Sequence, residues 1–228
     1  FGSRVDELLL TSATDDKAFR LEGLRLADGQ RMACRHLILA PGHSARDTFL
    51  MLERAGVQLH RKPFSVGVRI EHPQPLIDQA RWGELAGHPR LGAAEYKLVH
   101  HAGNGRCVYS FCMCPGGFVV GAASEPGGVV TNGMSQHSRN ERNANSGLVV
   151  NLEPEDLRPY ERFPGDPLAG VTLQRDLEQR AFRLGGSCYA APAQRLQDFL
   201  EGSPSADLGC INASYQPGVT PSCLLYTS

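Results

Sequence analysis

The sequence predicts a mixed α/β protein with an antiparallel sheet in its middle, and three observations carry that prediction. Three strand-like runs, YKLVHH (96–101), RCVYSFCMC (106–114) and FVVGAAS (118–124), follow one another through short connections, which suit antiparallel pairing. An Asp28-Gly29 turn separates two apolar-alternating runs within FRLEGLRLADGQRMACRHLILA, the pattern of a β-hairpin. Towards the end, Asp166-Pro167 opens a run in which Leu173, Leu177 and Ala181 share one helical face, and Gly185-Gly186 closes it.

In chain order, residues 5–12 (VDELLLTS) form a strand ahead of the hairpin, in which Gly29 takes the positive φ of the turn. Leu37–Ala40 reads as a short buried strand. The chain then turns on Pro41 and Gly42, and Ser44 is placed to cap a helix running to about Ala55, with Gly56 at its C′ position. FSVGVRI (64–70) alternates like a half-buried strand, and QPLIDQARWG is a short helix with Pro75 near its start. GVVTNG supplies a fourth strand after the Pro126-Gly127-Gly128 turn. A last helix is expected from Pro192 to Leu200, stopped by Gly202.

Composition narrows the function. The chain has 228 residues, 41% of them hydrophobic, enough for a sizeable core, and a formal net charge of -1. That balance gives no electrostatic case for nucleic acid or an anionic membrane, and no apolar run is long enough to span a bilayer. Seven cysteines at uneven spacing do not read as a disulfide framework and favour a reducing cytoplasm. Neither paired C-x-x-C motifs nor H-x-x-x-H occurs, so no metal site is expected. The opening FGSRVDELLL has no initiator Met and no signal-peptide layout, so it reads as the interior of a longer protein. Residues 223–228 (CLLYTS) back-translate to a transposon end used in sequencing libraries and are read as adapter read-through.

Two stretches carry candidate chemistry. In HLILAPGHSARDTF (36–49), Gly42 allows a ligand to approach the backbone, the helix amides after Ser44 favour an anion, and Arg46 adds a cation. His43 lies in the same turn, with a reference pKa suited to proton transfer. A plain strand-to-helix connection explains the same residues. In CMCPGG, regular strand geometry puts Cys112 and Cys114 on one face, as a redox pair, as metal ligands, as the lining of a flavin pocket or as small apolar fillers. Pro115, Gly116 and Gly117 read as a tight turn beside a cavity. SRNERNANSG (138–147), with Arg139, Arg142 and three asparagines, reads as a polar loop, either closing over a ligand or simply solvated.

The strings LILAPGHSARDTF, KPFSVGVRIEHPQPLID, YKLVHH, VYSFCMCPGG and VVTNGMSQHSRNERNANSGLVV together resemble the bacterial FAD-dependent dehydrogenase-like proteins, over nearly all of residues 1–222. These are two-domain flavoproteins of the glutathione-reductase-like class. The resemblance implies a Rossmann-like FAD domain, here residues 1–60, and a substrate domain with a mainly antiparallel sheet, residues 61–222. It implies FAD as cofactor, NAD(P)H as possible electron donor and a small-molecule substrate. Gly42, His43, Ser44 and Arg46 would contact the cofactor, and Cys112, Cys114, Pro115, Gly116 and Gly117 would wall the substrate pocket. His43, Cys112 and Cys114 are the catalytic candidates. Pro41 stands where the family has an apolar residue with an N–H, which removes one donor. No G-x-G-x-x-G occurs in the chain, so the dinucleotide fingerprint is expected upstream. Two other classes stay open: a flavin-binding module without turnover, regulatory or serving RNA modification, and a thiol enzyme using Cys112 or Cys114.

Overall fold

The computed structural model describes residues 2–12 and 19–224. The chain divides into two compact units, residues 1–61 with 161–171, and residues 62–160 with 172–228.

The first unit carries β1 (Val5–Ser12), β2 (Phe19–Leu26) and β3 (Arg31–Ala33) in one antiparallel sheet of that order, followed by α1 (Arg46–Arg54). Glu7 and Arg25 face each other in the β1–β2 ladder and pair at 2.6 Å. Gly29 turns the hairpin at φ +86°, and Gly56 ends α1 at φ +76°, both as the sequence predicts. Residues 161–171 bring Arg162 and Asp166 to the unit. Arg162 forks onto both Asp166 carboxylate oxygens at 2.7 Å and reaches Glu53 at 2.7 Å.

The second unit is built on an antiparallel sheet of order β4-β9-β6-β5, from β4 (Phe64–Pro73), β5 (Val99–His101), β6 (Cys107–Cys114) and β9 (Asn143–Leu152). A hairpin of β7 (Gly117–Gly121) and β8 (Thr131–Ser135) follows β6 in sequence. Two short strands, β10 (Ala191–Ala193) and β11 (Val219–Pro221), pair in parallel. The helices are α2 (Gln74–Trp82), α3 (Ala169–Leu184) and α4 (Leu196–Leu200). Val119, Val129, Ala191 and Tyr215 form a buried cluster with Ala181, Phe182 and Val219 packed on it. No helix of the described residues is long and apolar enough to cross a membrane.

The fold is therefore mixed α/β with mostly antiparallel sheets, and five local expectations need correction. Leu37–Ala40 is not a strand: no described strand lies beside it to complete a ladder, and Ile38 is 93% exposed. The α1 cap is Ala45, with no side-chain cap bond, so Ser44 does not cap; its carbonyl accepts the Arg46 N–H instead. Residues 143–147 are not loop but the start of β9, the strand between β4 and β6. Pro192 sits in β10 rather than in a helix, on a three-residue strand that tolerates a missing donor. Asp166 acts three residues ahead of α3, accepting the Leu168 N–H at 2.8 Å. The strands of the first unit form an antiparallel sheet, and a parallel Rossmann-like sheet is not among the described elements.

Candidate functional site

The turn before α1 is open. Gly42 has φ +78°, and no atom lies within 4 Å of where a Cβ would stand. His43 and Ser44 are exposed beside it. Arg46 behaves differently: it is 7% exposed and already has interaction partners. Asp47 in the first turn of α1 accepts the Thr48 N–H at 2.9 Å, so this helix terminus already carries a negative charge. The residues present fit close approach by a neutral part of a ligand, and fit an added phosphate poorly.

The turn after β6 is closed. The ladder is irregular between Phe111 and Cys114, where Cys112 adopts φ +50°. The strict alternation expected of CMC is lost there: Cys112 is exposed, while Cys114 is 6% exposed and donates its S–H to the Cys112 carbonyl. Burial is the main cause pushing the Cys114 thiol up, against the pull of nearby Arg69, which keeps it protonated near neutrality. The Gly116 N–H donates to Gln74 Oε1 at 2.6 Å, and the Gly116 carbonyl accepts from the Glu141 N–H at 3.2 Å. Gln74 Nε2 is held in turn by Asp78 at 2.8 Å and the Ala94 carbonyl at 3.0 Å. Ser135 Oγ donates to the Pro115 carbonyl at 2.8 Å. A Cβ on Gly116 would overlap the Arg139 backbone, and one on Gly117 the Met134 backbone. The space left by these glycines is thus filled by neighbouring main chain, not by a cavity.

Beside this turn, Arg69 of β4 donates from Nη1 to Asn145 Oδ1 at 2.8 Å and from Nη2 to Asn132 Oδ1 at 3.3 Å. Gly133 of β8 lies over the group. A Cβ there would overlap Asn145 Oδ1 and come within 2.8 Å of Cys114 Sγ. His72 and Tyr96 pair at 3.0 Å, and burial lowers the His72 pKa and raises that of Tyr96. A groove of about 530 Å³ runs past Gly117, Phe118, Arg142, Asn143, Asn212 and Ser214. Glu71 ties its two sides by accepting from Asn143 Nδ2 at 2.7 Å and the Ser214 N–H at 3.2 Å.

The structure therefore gathers Cys114, Pro115, Gly116 and Gly117 into one buried knot, with Cys112 exposed at its edge. Gly42, His43 and Ser44 are together in the other unit. Sequence reasoning missed Arg69, Gln74, Asn132 and Gly133, and took Asn145 only as one of three asparagines in a polar loop. The signal available was alternation in NANSG, which sets Asn143, Asn145 and Gly147 on one face once the segment is read as a strand. Cys223 and Leu224 are held by Gln194, whose Oε1 accepts the Leu224 N–H at 2.7 Å, and residues 225–228 lie outside the described residues.

The sequence profile of the family described as FAD-dependent protein, C-terminal domain-like, matches residues 63–226. The chain belongs to this family. Membership agrees at the family level with the FAD-dependent resemblance carried by the motifs above. A protein of Clostridium beijerinckii (strain ATCC 51743 / NCIMB 8052), described as uncharacterized, is 48% identical over 200 residues. That alignment covers 87% of this chain and 36% of the relative, so the chain spans about a third of the relative's length.

Proposed function

We propose that the chain is part of an FAD-dependent oxidoreductase acting on a small molecule in the cytoplasm, with NAD(P)H as electron donor. The observation that carries this reading is the family match over residues 63–226. Residues 1–60 belong to the cofactor-binding part in this reading and residues 61–222 to the substrate domain. Bound flavin supplies the two-electron transfer chemistry. Gly42 gives the cofactor an unobstructed backbone approach, with His43 and Ser44 exposed to contact it. Arg46, buried and already engaged, is poorly placed to meet a phosphate. The Cys112–Gly117 turn acts as a rigid wall of the substrate domain. Cys114 is a protonated filler there, which speaks against a thiolate mechanism.

The test is the whole protein that contains this chain. It is expected to purify with an oxidised-flavin spectrum that NADH or NADPH bleaches anaerobically, and Gly42→Val is expected to weaken flavin retention. Absence of flavin absorbance after reconstitution with FAD would end the proposal. Flavin that binds but is reduced by no pyridine nucleotide would favour a module without turnover.

A further inference from the structure

We propose that Arg69, Asn145 and Asn132 form a recognition site for the carboxylate of a small organic acid on the sheet of the second unit. Among the described residues, no carboxylate lies within ion-pair distance of Arg69. Its two terminal nitrogens are engaged by neutral carboxamide oxygens, and its Nε is buried with no partner. A partly buried guanidinium with a buried, unpartnered Nε and no anion beside it is costly, and native structures compensate such charges with a counter-charge. The acidic group next to it, the Cys114 thiol, is kept neutral by burial and supplies none.

Asn145 adds a second, independent sign. Its side chain is fully buried, its Oδ1 is taken by Arg69, and its Nδ2 has no acceptor. Nδ2 shares its carbon with Oδ1, so these unanswered N–H groups lie beside the guanidinium. A carboxylate offers only acceptors and matches the planar fork of an arginine. Buried donors left without acceptors are destabilising, so a site that keeps them is built for something that answers them.

The surroundings select an organic acid over a bare inorganic anion. Gly147 faces Arg69 directly in the β4–β9 ladder, and Phe111 faces Gly147 in the β9–β6 ladder. The row Arg69–Gly147–Phe111 therefore presents a cation, a buried glycine and an aromatic ring that is 60% exposed. The ring offers an apolar platform for the body of the acid. The Arg69–Asn132 bond lies at an exposed position, which gives the ligand access. Gly133 is required for the arrangement, since any side chain there would displace Asn145 or Arg69. The site does not depend on the flavin reading, because it is formed by residues of one unit and needs no cofactor.

Calorimetric titration of the 228-residue chain with benzoate, succinate and inorganic phosphate, at fixed chloride, tests this. Saturable binding of at least one carboxylate is expected, with a dissociation constant of about 1 mM or tighter. Arg69→Gln should weaken it tenfold or more and Arg69→Lys less, with circular dichroism confirming that both fold. Because Arg69→Gln could unfold the sheet, the wild-type Arg69 Nε–H resonance provides a second readout, expected to shift in step with saturation. The proposal is overturned if no carboxylate saturates, if phosphate binds more tightly than both, if binding survives Arg69→Gln unchanged, or if the Arg69 resonance stays still while binding occurs.

Discussion

The two glycine turns, Pro41–Ser44 and Cys112–Gly117, read alike in the sequence and differ in the structure. Both follow apolar or strand-like runs, and both invite the inference that a missing side chain makes room for a ligand. At Gly42 that room is open solvent. At Gly116 and Gly117 it is occupied by the main chain of Arg139 and Met134. A glycine in a sequence reports that a Cβ is excluded; whether ligand, solvent or backbone takes its place depends on a segment that can lie far away in sequence. Here that segment is residues 134–140, about twenty positions downstream.

Substitutions measure the difference directly. Gly116→Ala should be the most damaging, because it combines a left-handed φ of +47° with overlap on the Arg139 backbone. A loss of about 3 kcal/mol or more in urea unfolding is expected; a loss below about 1 kcal/mol would mean the turn has slack. The comparison needs the first unit folded as well, and Asp166 reports on that. Its carboxyl is held at about 2, chiefly by the Arg162 fork and further by the Arg162 and Leu168 N–H groups. A depressed folded pKa gives stability that is present above the unfolded value and lost as pH falls through the folded one. The first unit should therefore lose about 2 kcal/mol between about pH 4 and pH 2. Asp166→Asn should remove that dependence, leaving a protein weaker at pH 7 and much closer to the unsubstituted protein at pH 2. Gly42→Ala meets no atom and pays only for its φ of +78°, so about 1 kcal/mol is expected. Cys112→Ala should change stability by less than about 0.5 kcal/mol. In the unsubstituted protein iodoacetamide should label Cys112 well before Cys114, read by peptide mass spectrometry. Equal labelling would show that the closed turn opens in solution.

Local pattern made much of the fold legible. The alternation of residues 64–70, the Asp28-Gly29 turn and the Gly185-Gly186 stop all rest on neighbours in sequence, and the elements they imply are present. What failed depended on distant partners. NANSG was read as part of a polar loop over residues 138–147. Its asparagines and serine are buried here because Glu71, Arg69 and the Phe111 carbonyl answer them from other strands. Leu37–Ala40 failed in the opposite sense: four apolar residues name a strand but not its neighbour. Arg69 was passed over as one charge in an alternating run, and only the folded sheet shows that no carboxylate among the described residues meets it.

The position of β9 has a consequence for how the chain is made. β4 begins at Phe64 and pairs with Leu152 at the far end of β9, so the sheet's main ladder joins residues 88 positions apart. Pairing at that separation closes a long loop before any contact rewards it, which slows folding. On a ribosome adding about 5–20 residues per second, β4 waits roughly 5–20 s for its partner. During that interval β5 and β6 can form their local hairpin, but the inner edges of β4 and β6 stay without the strand that separates them. Nascent chains ending before Asn143 therefore expose two sheet edges at once, and those lengths are where a chaperone would be needed most.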